Sequence, residues 1–428
     1  MRTRASIIAL ALLAGCRGSA GGALPPSPFA FHNGASAASI SFLAIGPTHM
    51  TSGFVPTSGK VNAFAIDPTN SKVLYVASGR GTGLETYSSA GVYRSRNGGA
   101  SWQAIDNGIT DRSGIVDSVV NALWIDPANH STLVAGSEYE GIFRSTDAGS
   151  SWQNVYRTTQ AAQLAAYNGT LYATTAAGIL SSNDGGAHWK ISFAGTPAAY
   201  PTAIDAVASN GGALFAGMTD GTMLRYAHGT WHRSGKLPYT LHTGTDGSSP
   251  AVHQIAIDPS QPSLIYANAN DGRWDQNLSA SADGGRSWTR VVPAYRGYNY
   301  YELGLGTQAI AFSRVHPHLL YIGLDGGLLA INADGSAQPA MQLAANVSVI
   351  DLRNVWTYPD GGDDRCWIAS DQGLDDVPQC STFRRTRNDD VASKTMATGL
   401  ARRFAISPNG QTIVVSLQDF DSHVTHDG

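Results

Sequence analysis

The sequence predicts an all-β fold, a propeller of four-stranded antiparallel blades, seven or eight in number, and three observations point to it. One turn motif recurs four times in the same frame, each copy closed by a tryptophan. An alternating strand that stops at a proline turn recurs upstream of it, giving four short strands about every 40 to 50 residues, the signature of a blade. The 428 residues include 48 glycines, 9 tryptophans and 17 tyrosines, which suits many tight turns between aromatic-rich strands.

The four copies are Ser95, Asn97, Gly99 and Trp102; Ser145, Asp147, Gly149 and Trp152; Ser182, Asp184, Gly186 and Trp189; and Ser281, Asp283, Gly285 and Trp288. The frame is Ser-x-Asp-x-Gly-x-x-Trp, and Asn97 departs from it at the acid position. Ser and Asp side chains bond the amides of a tight turn, Gly supplies positive φ, and Trp anchors the strand that follows. This turn chemistry assigns the acids to structure rather than to catalysis. The frame resembles the Asp-box, or BNR, repeat of sialidases, xyloglucanase-like glycosidases and sortilin-type propellers. As a fold the resemblance covers residues 41–428, and it stops short of a site. The Arg-Ile-Pro segment of the sialidases is missing, and the stretch matching the catalytic segment of the xyloglucanase-like enzymes, residues 77–82, has no carboxylate.

Alternating strands ending at Pro68, Pro127, Pro259, Pro317 and Pro408 supply the upstream element, each followed by a β-rich run. Weaker units fill residues 203–231, 309–335 and 347–370, and tryptophans 102, 152, 189, 231 and 288 keep the period. Eight units are counted. The segment 41–47 resembles an orphan fourth strand, and the sequence stops at Gly428 inside a partial motif. The ring is therefore expected either to be closed by the N-terminal strand or to be truncated at its C-terminus.

Arg2 and Arg4 precede an apolar run ending Leu13-Ala14-Gly15-Cys16. A basic start and a short hydrophobic stretch make residues 1–15 a signal peptide, too short to span a membrane. The ending resembles the lipobox of bacterial lipoproteins, which implies lipidation of Cys16; an ordinary secretory signal is the alternative. Residues 16–38, rich in Gly, Ala, Ser and Pro, read as a flexible tether, and 39–428 as the propeller. Cys366 and Cys380 form an even pair in an exported chain, where a disulfide is the default and two buried thiols the alternative. The bridge is expected to pin an irregular excursion over residues 371–380.

Charged residues make up 14% of the chain and the net charge is −4, which removes the basic excess that nucleic-acid binding needs. No cofactor or metal site is expected, since no cysteine or histidine cluster has ligand spacing. A monomer is expected. Recognition is expected on the face carrying the variable loops between second and third strands and between blades. Candidate binding residues there are Glu85, Tyr87, Glu138, Tyr139, Trp274, Tyr298, Tyr300 and Tyr301. Aromatic rings beside acceptors suit sugars, so the expected partner is a polysaccharide or an extracellular protein. A glycosidase is the alternative, drawing a carboxylate pair from Asp220, Asp271, Asp325, Asp371 and Asp419; an assembly scaffold is a third reading.

Overall fold

The repeating element is an up-and-down antiparallel sheet whose strands A, B, C and D follow one another in chain order. The computed structural model describes residues 60–79, 91–110, 119–238, 251–270, 276–291, 294–295, 298–299, 307–324, 327–333, 341–342, 352–370, 373–382, 401–406, 413–417 and 423–425. Blade one comprises Lys60–Asp67, Asn70–Gly79, Gly91–Ser95 and Gln103–Ala104; blade two, Val120–Ile125, Leu133–Ser137, Gly141–Ser145 and Gln153–Tyr156. Blade three comprises Leu164–Tyr167, Thr170–Thr175, Gly178–Ser182 and Lys190–Ala194; blade four, Pro201–Val207, Ala213–Met218, Thr222–Ala227 and Thr230–Lys236. Blade five comprises Ala251–Ile257, Ile265–Asn270, Gln276–Ser281 and Thr289–Val291; blade six, Thr307–Phe312, Leu319–Leu324, Gly327–Asn332 and Met341–Gln342. Blade seven shows Leu352–Asp360, Asp363–Ser370 and Gly373–Val377. The one helical element among the described residues is a 3-10 turn, Cys380–Thr382.

A blade has neighbours on both faces, and this sets its sequence. Strands Leu133–Ser137, Ala213–Met218 and Gly178–Ser182 are buried at every position, so they read as unbroken small and apolar runs rather than alternating ones. Strand D lies outermost and is half exposed, as in Lys190–Ala194 and Thr230–Lys236. Seven hydrophobic clusters fill the seams between blades. Gly217 and Gly323, equivalent positions of strand B, let the next blade close in; a Cβ there would lie 2.3 Å from Val252 and 2.2 Å from Leu352.

Ring closure is direct. Phe64 of blade one stacks on Trp367 of blade seven with centroids 4.9 Å apart, and meets Trp356 at 5.6 Å and Tyr358 at 6.0 Å. Val61, Leu74, Val76 and Tyr93 join the same cluster. That face is full, so the eighth sequence unit, the sheet Ala401–Ile406, Ile413–Leu417 and His423–Thr425, does not stand between blades seven and one. The ring has seven blades, within the expected seven or eight, and the eighth unit counted along the chain forms a separate three-stranded sheet. Residues 41–47 lie outside the described residues.

A correction concerns residues 371–380. Gly373–Val377 is strand C of blade seven, pairing Cys366 with Val377 and Ser370 with Gly373. The expected excursion is thus a regular strand, with Asp375 and Asp376 standing between Leu374 and Val377 where a buried strand would show an apolar run. The Cys366–Cys380 disulfide ties strand B to the turn beyond that strand.

Trp367→Ala would remove the stacking partner of Phe64 from a fully buried seam, where such a truncation costs about 3–5 kcal/mol. A fall of that size in urea-denaturation stability is expected, against little change for an exposed strand-D substitution such as Lys190→Gln.

Candidate functional site

The four motif copies are turns between strands C and D. In each, the Ser hydroxyl donates to the acid position: to Asn97 at 2.9 Å, Asp147 and Asp184 at 2.7 Å and Asp283 at 2.8 Å. The same hydroxyl accepts the amide of Gly99, Gly149, Gly186 or Gly285 at 2.8–2.9 Å. The acid in turn accepts the amide four residues on, at 2.8–3.0 Å. Asn97 keeps the geometry by reversing one bond, its Nδ2 donating to Ser101 Oγ where Asp147 and Asp283 accept from a serine hydroxyl. The carboxyls are held below their ordinary range: Asp147 chiefly by the Ser151 hydroxyl, Asp184 by the His188 amide and Asp283 by the Ser287 hydroxyl. Trp152 and Trp288 donate Nε1–H to the preceding blade, at Ile105 O (2.6 Å) and Ser234 O (2.9 Å). Trp189 donates to its own turn at Gly186 O, and Trp102 Nε1 is buried without a partner among the described residues.

Chemistry at the ring's axis begins with strand A, whose inner edge has no strand to pair with. Six of the seven inner strands carry a β-bulge near their start, at Asn62, Asn121, Thr202, His253, Gln308 and Arg353. A bulge inserts one residue and re-aims its side chain. Asn62 Nδ2 donates to Asn121 Oδ1 (3.3 Å), and Asn121 Nδ2 to Glu138 Oε2 (2.7 Å). Thr202 Oγ1 donates to Val252 O of the next blade.

Two glutamines repeat one device. Gln163 Oε1 accepts the Ile204 amide of the next blade at 2.9 Å while its Nε2 donates to His253 O, one blade further. Gln254 Oε1 accepts the Ile310 amide at 2.8 Å while its Nε2 donates to Asn354 Oδ1, again one blade further. Asp205 caps the Ile257 amide at 2.9 Å; burial pushes its carboxyl up to about 6, against the pull of Arg314 and of two backbone amides. Sequence reasoning missed this set. Its signal was present: a polar residue stands just before the alternating part of each strand A, as in Val61-Asn62-Ala63 and Val120-Asn121-Ala122.

Of the expected loop residues, Glu138 holds Asn121, and Tyr139 beside it is 45% exposed, one of two exposed large hydrophobic side chains among the described residues. Glu140 pairs with Arg157 at 3.0 Å. Burial works to raise the Asp220 carboxyl, but the Thr222 amide and hydroxyl, with Lys236 and Arg233, outweigh it and hold it below its ordinary range. Tyr298 stands in a small hairpin with Ala294–Tyr295. Cys16, Glu85, Tyr87, Asp271, Trp274, Tyr300, Tyr301, Asp325, Asp371 and Asp419 lie outside the described residues.

On the opposite rim, His316, Asp363 and Asp364 bring ligand-type atoms within 4.8 Å of one another. Bonds already engage them: between blades six and seven, His316 with Asp363 (2.9 Å) and Ser313 Oγ, the Arg314 amide and Tyr321 OH to Asp364; within blade seven, Ser381 Oγ to Asp363. Asp67 with His130 and Asp258 with His318 repeat this stitching at other seams.

No protein-family model matches the sequence, and no curated protein does. Solved structures share the fold. The GH74 xyloglucanase from Xanthomonas campestris superposes with a TM-score of 0.51 at 19% identity, covering 86% of this chain and 59% of that one. YCF48 from Cyanidioschyzon merolae gives 0.52 at 14%, covering 75% and 96%. The extracellular domain of a putative one component system from B. thetaiotaomicron gives 0.50 at 12%, covering 86% and 46%. At these identities the likeness is one of fold, a β-propeller, and the chain spans less than two thirds of the xyloglucanase.

The turns and the axis respond to pH in opposite senses. A depressed carboxyl contributes stability above its unfolded value near about 4, and loses it as pH falls through the folded value. Asp147, Asp184 and Asp283 act in this way, and Ser182→Ala should cost roughly 1–2 kcal/mol at pH 7 by removing two bonds of one turn. A raised carboxyl favours the protonated fold, so the contribution of Asp205 is complete below about pH 4 and lost as pH rises through about 6. Urea midpoints of the wild type should therefore decline from pH 4.5 to 7 relative to those of Asp205→Asn.

Proposed function

We propose that this propeller is an exported binding protein, anchored by lipid at Cys16, that takes an extracellular glycan at the loop end of its axis. The observation that carries the reading is the exposed ring of Tyr139 beside the Asn62–Asn121–Glu138 chain. A flat apolar ring covers a sugar face, while amides and a carboxylate bond its hydroxyls. The amide chain is rigid, since each member is fixed by a neighbour, and a pre-ordered site loses little conformational freedom on binding. Glu85, Tyr87, Trp274, Tyr298, Tyr300 and Tyr301 would extend the same rim.

The hydrolase alternative needs two carboxylates flanking a glycosidic bond, one of them protonated. Glu138, Glu140 and Asp220 are each engaged by neighbours, and the depressed carboxyl of Asp220 is the reverse of what a general acid requires. No observation among the described residues favours that alternative.

A glycan array probed with the full chain, followed by polysaccharide pull-down, tests the reading. Binding to at least one polysaccharide class is expected, weakened about tenfold or more by Tyr139→Ala and by Glu138→Gln, or about 1.4 kcal/mol each. A blank array together with a co-purifying protein would overturn the glycan in favour of a protein partner.

A further inference from the structure

The outer flank of blade four concentrates positive charge in a chain whose net charge is −4. From Gly221 to Thr245 the sequence contains no Asp or Glu, yet it holds Arg225, His228, His232, Arg233, Lys236 and His242. Strands C and D of this blade form a hairpin closed by His228 and Gly229, both at positive φ, and the register sets Arg225 directly opposite His232. The C–D turn of blade five brings Arg286 to the same place. Between the two lies a cavity of about 460 Å³ lined by Arg225, His228, His232, Arg233, Gly285 and Arg286 among others, with no acid in its wall.

Lys236 and Arg233 act on Asp220, but Arg225 and Arg286 have no carboxylate partner among the described residues. Among the described residues Arg225 has no hydrogen-bond or ion-pair partner, and the Arg286 guanidinium donates only to a backbone oxygen, Asp283 O at 3.2 Å. The carboxylate of the blade-five turn, Asp283, is engaged by its own turn, accepting from Ser281, the Arg286 amide and both donors of Ser287. Arg233 reaches Thr222 Oγ1 at 3.4 Å, on the side of Asp220. Exposed guanidinium groups facing a shared concavity are the arrangement that grips a polyoxygenated anion, because the planar fork matches two oxygens at once.

We propose that this cavity is a binding site for a tetrahedral oxyanion, the phosphate or sulfate group of a larger polar molecule. Arg225 and Arg286 contact the anion and the two histidines frame it. The volume falls within the range of small-molecule sites and exceeds what a bare ion fills. The site is built from the outer hairpin of blade four and the C–D turn of blade five, so it is independent of the proposed glycan site on blades one and two.

Isothermal titration of the full chain at low ionic strength, with inorganic phosphate, inorganic sulfate, a sugar monophosphate and a sugar monosulfate, tests the proposal. At least one ester should bind, tighter than the free anion, and weaken as salt is raised. Arg225→Gln and Arg286→Gln should each lower that affinity tenfold or more, while Lys190→Gln leaves it unchanged. Trp288, whose ring lies 3.3 Å from where a Cβ on Gly235 would stand, offers a fluorescence readout of the same event and of correct folding in each variant. Absence of binding by all four probes, binding unaffected by both arginine changes in folded variants, or an equal loss in Lys190→Gln would overturn it.

Discussion

Strand A of every blade ends its sheet at the axis, and a backbone edge left unpaired and away from water costs free energy for each amide and carbonyl. A closed barrel solves this by pairing its first and last strands; a propeller cannot, because its sheets radiate. In this protein side chains close the inner edge instead. Gln163, Asp205 and Gln254 each cap an amide of the following blade, Thr202 and Asn354 each bond a carbonyl of the following blade, and Thr357 bonds one of the preceding blade. The two glutamines go further and reach the blade after next, which binds the ring across its centre as well as around it.

The rest of the architecture follows from that radial arrangement. Sheets standing side by side must be apolar on both faces, so each seam becomes a separate core cluster, and the tryptophan of each of the four motif turns packs against one of them. At the rim of the A–B turns, Asp–His pairs between blades fasten the same seams with polar bonds. Among the described residues, structural bonds thus engage Asp147, Asp184 and Asp283 of the turns and Glu138, Glu140 and Asp220 of the loops. Among the described residues, two features remain for the proposed recognition: an exposed tyrosine next in sequence to Glu138 at one end of the axis, and the guanidinium groups of Arg225 and Arg286 on the outer flank.

Particular residues show how far the sequence could be read. The Ser, Asp and Gly of each turn were legible because their bonds run only two to four residues along the chain, and local chemistry is recorded in local spacing. Asn62, Asn121 and Gln254 were not singled out because their partners lie in other blades, up to a hundred residues away, and a single polar residue before an apolar run carries no label. Strand Gly373–Val377 was misread for a related reason. Asp376 faces Arg365 as a buried partner, so an acid stands where alternation would place an apolar residue.

Period, strand content and turn chemistry were fixed by the sequence alone, since each depends on steric and hydrogen-bonding preferences within a few residues. The number of blades was decided only in three dimensions: eight units can be written down the chain, but the seam between Phe64 and Trp367 admits no further sheet. The same holds for both candidate sites. A bulge on one strand and a loop on another, or two hairpins from adjacent blades, become one surface only when the ring has closed, because long-range contact is a property of packing rather than of order along the chain.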